Sequence, residues 1–145
     1  MYRAVDKQGN VLEFLLTKNR DKKAAKRFFK KMLGNKHVPN PRVINVDKNK
    51  AYPPAVAELK KEKLIAKRCK LRQVKYLNNI VEQSHRFIKK LVKNNQWFQY
   101  FKTARRTIAG FEIMNMIRHG QVRYIKKIDI LAQKRFVETL FGIGV

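Results

Sequence analysis

The sequence predicts an α/β fold, and three observations carry the prediction. Short β-branched and aromatic runs, YRAVD at residues 2–6 and VLEFLLT at 11–17, open the chain, and stretches with helical apolar spacing follow. A short apolar run, Val43 to Val46, separates two of those helical stretches, as a strand between helices would. With 44% hydrophobic residues among 145, the chain has the means to bury the core of one ordinary domain.

Each element has its own local cause. Between the first two runs lies KQGN, where Gly9 and Asn10 tolerate the positive φ of a tight turn, so a β-hairpin is expected, with Asp6 closing the turn. Asp21 is a suitable N-cap for KKAAKRFFKKML, which puts Ala25, Phe28, Phe29, Met32 and Leu33 on one side, with Gly34 as a stop. The strand Val43 to Val46 ends on Asp47, and Tyr52, Pro53 and Pro54 open the next helix. A further short strand is expected within 66–74, where alternation is poor. Then a helix over roughly 77–93 sets Leu77, Ile80, Val81, Ile88 and Leu91, with Ser84 among them, against Glu82, Arg86, Lys89 and Lys93 on the other side. Two more amphipathic helices complete the chain, with Gly120 and Gln121 between them.

Charge narrows the function. Against 35 Lys and Arg stand 10 Asp and Glu, a formal charge of +25, and such a chain repels itself unless a polyanion neutralises it. Nucleic acid is the partner this implies. The cations are spread over the whole chain rather than set opposite one apolar helix face, which argues against a membrane-surface protein. No run of signal-peptide or membrane-spanning length occurs, so a cytoplasmic protein is expected. A single cysteine, Cys69, excludes an internal disulfide and a cysteine-based zinc cluster, and reads as an incidental thiol or one activated by its Lys and Arg neighbours.

The acids are therefore the informative residues. Between residues 22 and 57 the only acid is Asp47, among ten Lys and Arg; between 63 and 111 the only acid is Glu82, among thirteen. An acid at the carboxyl end of a strand and another on a later helix can meet over a sheet edge and hold Mg²⁺ or Mn²⁺ beside a phosphate. Equally, Glu82 reads as a solvated residue relieving repulsion along a basic helix, and Asp47 as a turn acid after a strand.

Resemblance adds to this. The segments YRAVDKQGN, FLLTKNRD, AAKRFF, INVDKNKAYP, LRQVKYLNNIVEQSHRFIK and FKTARRTIAGFEIMNMIRHGQ, in that order, and the ending QKRFVETLFGIGV, resemble the catalytic core of bacterial insertion-sequence transposases of the DDE type, in the compact subgroup that forms cointegrates. The resemblance implies a ribonuclease H-like mixed sheet and three acids that bind two divalent metals, Mg²⁺ or Mn²⁺, for DNA cleavage and strand transfer. The second acid corresponds to Asp47 and the third to Glu82, with 34 residues between them, and Lys89, seven beyond Glu82, corresponds to a basic residue contacting DNA near the scissile phosphate. Arg72, Lys75, Arg86, Arg105 and Arg106 are the further candidate DNA contacts. Trp97, Phe98, Tyr100 and Phe101 can stack on unpaired bases or build core.

The family's first acid lies on a strand before YRAVD, in a segment of the kind VDETYI, which these residues do not contain. The expectation is a truncated transposase: residues 1–121 as a catalytic core lacking the first strand of its sheet, and 122–145 as a C-terminal helical extension of it. It binds transposon-end and target DNA at the nucleoid or on plasmids, keeps two of three metal ligands, and is defective in catalysis alone. The alternative is a noncatalytic DNA-binding regulator, associating as a homodimer or with a full-length transposase through its C-terminal helices. A basic structural RNA-binding protein explains the charge but not the isolated Asp47 and Glu82.

Overall fold

A computed structural model describes residues 1–74, 79–94 and 98–143, with only the backbone of Ile80, Ser84, His85 and Asn94. The chain divides into two compact units, Met1–Phe87 and Ile88–Val145. The first begins with the expected hairpin, β1 (Tyr2–Val5) antiparallel to β2 (Val11–Leu15), with a register shift between Ala4 and Val5. Asp6 closes the turn: its Oδ1 accepts the amides of Gln8 at 2.8 Å and Asn10 at 2.9 Å, its Oδ2 accepts the Asn10 side chain, and Gly9 takes φ 87°.

Helix α1 (Lys22–Leu33) starts where Asp21 caps the amide of Ala24 at 2.7 Å. It buries Ala24, Ala25, Phe28, Phe29 and Met32. Gly34 ends it at φ −71°, so the stop makes no use of glycine's left-handed freedom. Strand β3 (Val43–Val46) then runs into α2 (Tyr52–Lys61), whose prolines occupy the first turn, where their missing N–H costs nothing. The chain returns as β4 (Lys70–Gln73), parallel to β3 and in register from Val43 with Lys70 to Val46 with Gln73. The strand read within 66–74 is thus four residues long, and three of the four are exposed, which is why alternation was weak there.

Tyr2, Phe28, Phe29, Met32, Ile44, Val46, Val56, Leu59, Ile65 and Cys69 belong to one hydrophobic cluster, so the hairpin, the parallel strands and both helices share a core. Burying a side chain such as Leu59 stabilises by about 1.5–3 kcal/mol. Among the described residues the strands form two two-stranded sheets, β1 with β2 and β3 with β4; the resemblance implied a mixed sheet lacking its first strand. Ion pairs cross between α1 and α2: Lys22 and Lys26 both reach Glu58, and Lys26 and Lys30 reach Glu62 at 2.6 and 2.8 Å.

Helix α3 (Asn79–Asn94) carries the junction between the units; of its expected apolar positions Ile88 is buried and Val81 and Leu91 half-buried, while Leu77 lies outside the described residues. The second unit continues with α4 (Phe101–Arg118), which buries Ala104, Ile108, Glu112, Asn115 and Ile117, and α5 (Ile130–Phe141). The connection between these helices is longer than the Gly120 and Gln121 expected. Gly120 turns it at φ 68°, where an added Cβ would sit 2.5 Å from the Lys127 amide, so glycine is required. Asp129 caps α5 through the amide of Ala132 at 2.9 Å, yet no residue of α5 is buried. Among the described residues no helix is long and apolar enough to cross a membrane.

Candidate metal and DNA site

Asp47 follows the last residue of β3 and is tied down from both sides. Its Oδ1 accepts the Asn49 amide at 3.0 Å, and Asn49 in turn accepts the Ala51 amide at 2.9 Å, so two successive side-chain turns carry the chain from β3 into α2. Gln73, the register partner of Val46, reaches across from β4 to the carbonyls of Asp47 and Asn49, at 3.5 and 3.3 Å. The backbone at the carboxyl end of the parallel pair is thereby fixed, while the Asp47 side chain stays 46% exposed.

Its other oxygen, Oδ2, faces Arg20, whose Nη2 lies 3.4 Å away. Arg20 sits in the connection between β2 and α1. Its guanidinium lies 5.8 Å from the centre of the Tyr2 ring. Desolvation opposes its charge, but Tyr52 and Asp47 outweigh that and hold its pKa above the ordinary arginine value. Burial, and then the Asp47 charge, push the Tyr52 hydroxyl up. Tyr52 is itself packed edge-on to Tyr2 and Phe29, with ring centres 6.0 Å apart in each case. Sequence reasoning missed Arg20, and among 35 cations no local signal distinguishes it.

Glu82 stands exposed in the first turn of α3, where the positive end of the helix dipole favours an acid. Among the described residues no hydrogen bond or ion pair joins Asp47 to Glu82, and no three His, Cys, Asp or Glu side chains gather into a metal-binding group. Arg86 and Lys89 are exposed on α3, Arg72 on β4, and Arg105 and Arg106 on α4; Lys75 lies outside the described residues. Of the aromatics, Tyr100 is 71% and Phe101 38% exposed, so these two build no core, and Trp97 lies outside the described residues. Further cations lie together on α1, where Lys22, Lys23, Lys26, Arg27 and Lys30 line an open groove of about 460 Å³.

The activated-thiol reading of Cys69 fails. The residue is 1% exposed, burial raises its thiol pKa, and Lys60, which donates to the Cys69 carbonyl, only partly opposes that.

The chain is 34% identical over 112 residues to the transposase for insertion sequence-like element IS431mec of Staphylococcus aureus, and to the same extent to the transposase for insertion sequence element IS257 in transposon Tn4003 of that species. Each match covers 77% of this chain and 47% of the relative, so the chain spans about half the length of these relatives. An uncharacterised protein of Yersinia pseudotuberculosis is 35% identical over 71 residues, covering 48% of this chain and 66% of its own length. No solved structure matches significantly. Residues 1–121 match the family model described as the DDE domain, and the chain belongs to that family, the DDE-type transposases of insertion sequences.

Proposed function

We propose that the chain acts in DNA transposition as the part of a DDE transposase that carries the second and third metal-binding acids, Asp47 and Glu82. The observation that carries this reading is the position of Asp47: a half-exposed carboxylate at the carboxyl end of a parallel strand, where such sheets present ligand groups. The donor set fits the metal, since carboxylate oxygens suit Mg²⁺ or Mn²⁺. Asp47 and Glu82 would hold it, and when bound it supplies charge stabilisation to the attacking and leaving oxygens of a phosphate. The chain's own cations, Lys89 and Arg86 with Arg72, Lys75, Arg105 and Arg106, hold the DNA backbone.

A ribonuclease H-like arrangement is part of this reading, with the hairpin and the parallel pair packed on one core. In this reading residues 1–121 are catalytic core and 122–145 a helical extension, and the protein works in the cytoplasm on plasmid or nucleoid DNA. A two-metal site of this family takes three carboxylates, of which Asp47 and Glu82 would supply the second and third.

A noncatalytic DNA-binding partner is the second reading. Exposed Ile130 and Phe141, eleven residues apart and so on one side of α5, favour it, since a helix with no buried residue can offer that side to another chain, either a second copy or a full-length transposase. The two readings separate in a strand-transfer assay with a labelled pre-cut transposon end, plasmid target and Mn²⁺. Joining by the wild type and none by Glu82→Gln supports the catalytic reading, whereas DNA binding with no joining by either leaves the partner reading.

A further inference from the structure

We propose that Arg20 is the counter-cation that holds the Asp47 carboxylate until a divalent metal displaces it, and that the released guanidinium then serves a DNA phosphate. The proposal rests on the metal reading of Asp47 and adds a residue to it. Of the two carboxylate oxygens, Oδ1 is committed to the Asn49 amide, which orients the group; Oδ2 is the one a metal would take, and Arg20 occupies it. The contact is one nitrogen to one oxygen at 3.4 Å, looser than the bidentate fork of which arginine is capable, and both side chains are about half exposed. Such a pair contributes little stability and is exchanged easily.

Nor is Arg20 needed to start α1, since Asp21 supplies the cap. What else holds it is the Tyr2 ring, 5.8 Å from the guanidinium, and that contact can persist when Asp47 is taken away. A guanidinium so held is a positive charge beside the proposed metal site, and it must weaken metal binding by competition and by repulsion alike. Once the metal takes Asp47, that charge has lost its carboxylate, and the phosphate being handled at the site is the anion that can replace it. The lysines of α1 behave otherwise, because their glutamates belong to the helix packing and stay with them.

Calorimetric titration of the full chain with Mn²⁺ alone tests this, comparing wild type, Arg20→Gln, Arg20→Lys and Asp47→Asn, each first shown to be folded by circular dichroism. Arg20→Gln is expected to bind Mn²⁺ about two- to fivefold more tightly, and Arg20→Lys to stay near wild type because it keeps the charge. In a second measurement, binding of a short duplex with and without Mn²⁺ at fixed ionic strength, the change produced by Mn²⁺ is expected to be more favourable for wild type than for Arg20→Gln. Equal or weaker Mn²⁺ binding by Arg20→Gln, with Asp47→Asn clearly impaired, overturns the role of Arg20 and leaves the metal reading standing. Unimpaired Mn²⁺ binding by Asp47→Asn overturns both.

Discussion

Glu58 on α2 and Glu62 at its C-terminal cap, and Asp47 and Glu82 outside that helix, are equally rare acids in a chain of +25, yet they have opposite fates. Glu58 and Glu62 are each clasped by two lysines of α1, and the hydrogen bonds from Lys22 and Lys26 bring the Glu58 carboxyl pKa down to about 2. Asp47 has one loose arginine, and Glu82 has no ion pair among the described residues. The first pair joins two helices at the protein surface; the second is left with oxygens to offer a ligand. An isolated acid in a basic chain is thus a functional candidate only after packing has claimed its share.

If the helix layer is held mainly from its inner face, Leu59→Ala must be the most damaging change near the ladder. Leu59 is fully buried on the same helix as Glu58, and its truncation is expected to cost about 2–5 kcal/mol in urea unfolding. A midpoint close to that of wild type would mean that the ion pairs, not the core, hold α1 to α2.

Asp47→Asn and Glu82→Gln sharpen the other side of the comparison. Each is expected to weaken Mn²⁺ binding at least about tenfold in calorimetric titration while leaving the unfolding midpoint nearly unchanged, because neither carboxylate is consumed by packing. Glu58→Gln is expected to do the reverse, shifting stability and leaving Mn²⁺ binding alone. Its pH dependence has a definite sign. A glutamate with a folded pKa of about 2 against an ordinary 4.5 stabilises fully above the ordinary value and loses that contribution as pH falls towards the folded one. The stability difference between wild type and Glu58→Gln should therefore be largest near neutrality and should shrink between pH 4.5 and about 2.

The fold was legible where local chemistry decides it: the Asp6 turn, the Asp21 cap, the prolines opening α2 and the strand Val43–Val46 could all be read from short spacings. The pairing of strands into two sheets could not, because pairing depends on which edges have partners and no single run of residues states that. Asp47 and Glu82 were legible through their isolation in charge. Arg20 was not, since its part depends on a neighbour 27 positions away and on the Tyr2 ring brought beside it by folding. Buried Glu112 was likewise hidden, as nothing in FEIMN distinguishes an acid enclosed by α4 packing from a solvated one.

The smallest effect expected falls on the cations. Lys89 is one exposed charge among many, so Lys89→Gln should weaken binding to any duplex nearly uniformly and flatten the slope of log affinity against log salt by about 0.9. Lys26→Gln offers the matched control, because Lys26 is already engaged by Glu58 and Glu62 and neutralises no phosphate while that ladder is intact. Its salt slope should match that of wild type. An equal loss of slope in both variants would mean that DNA can draw the α1 lysines off their glutamates, and the division between acids claimed by packing and acids left for ligands would then hold only in the absence of DNA.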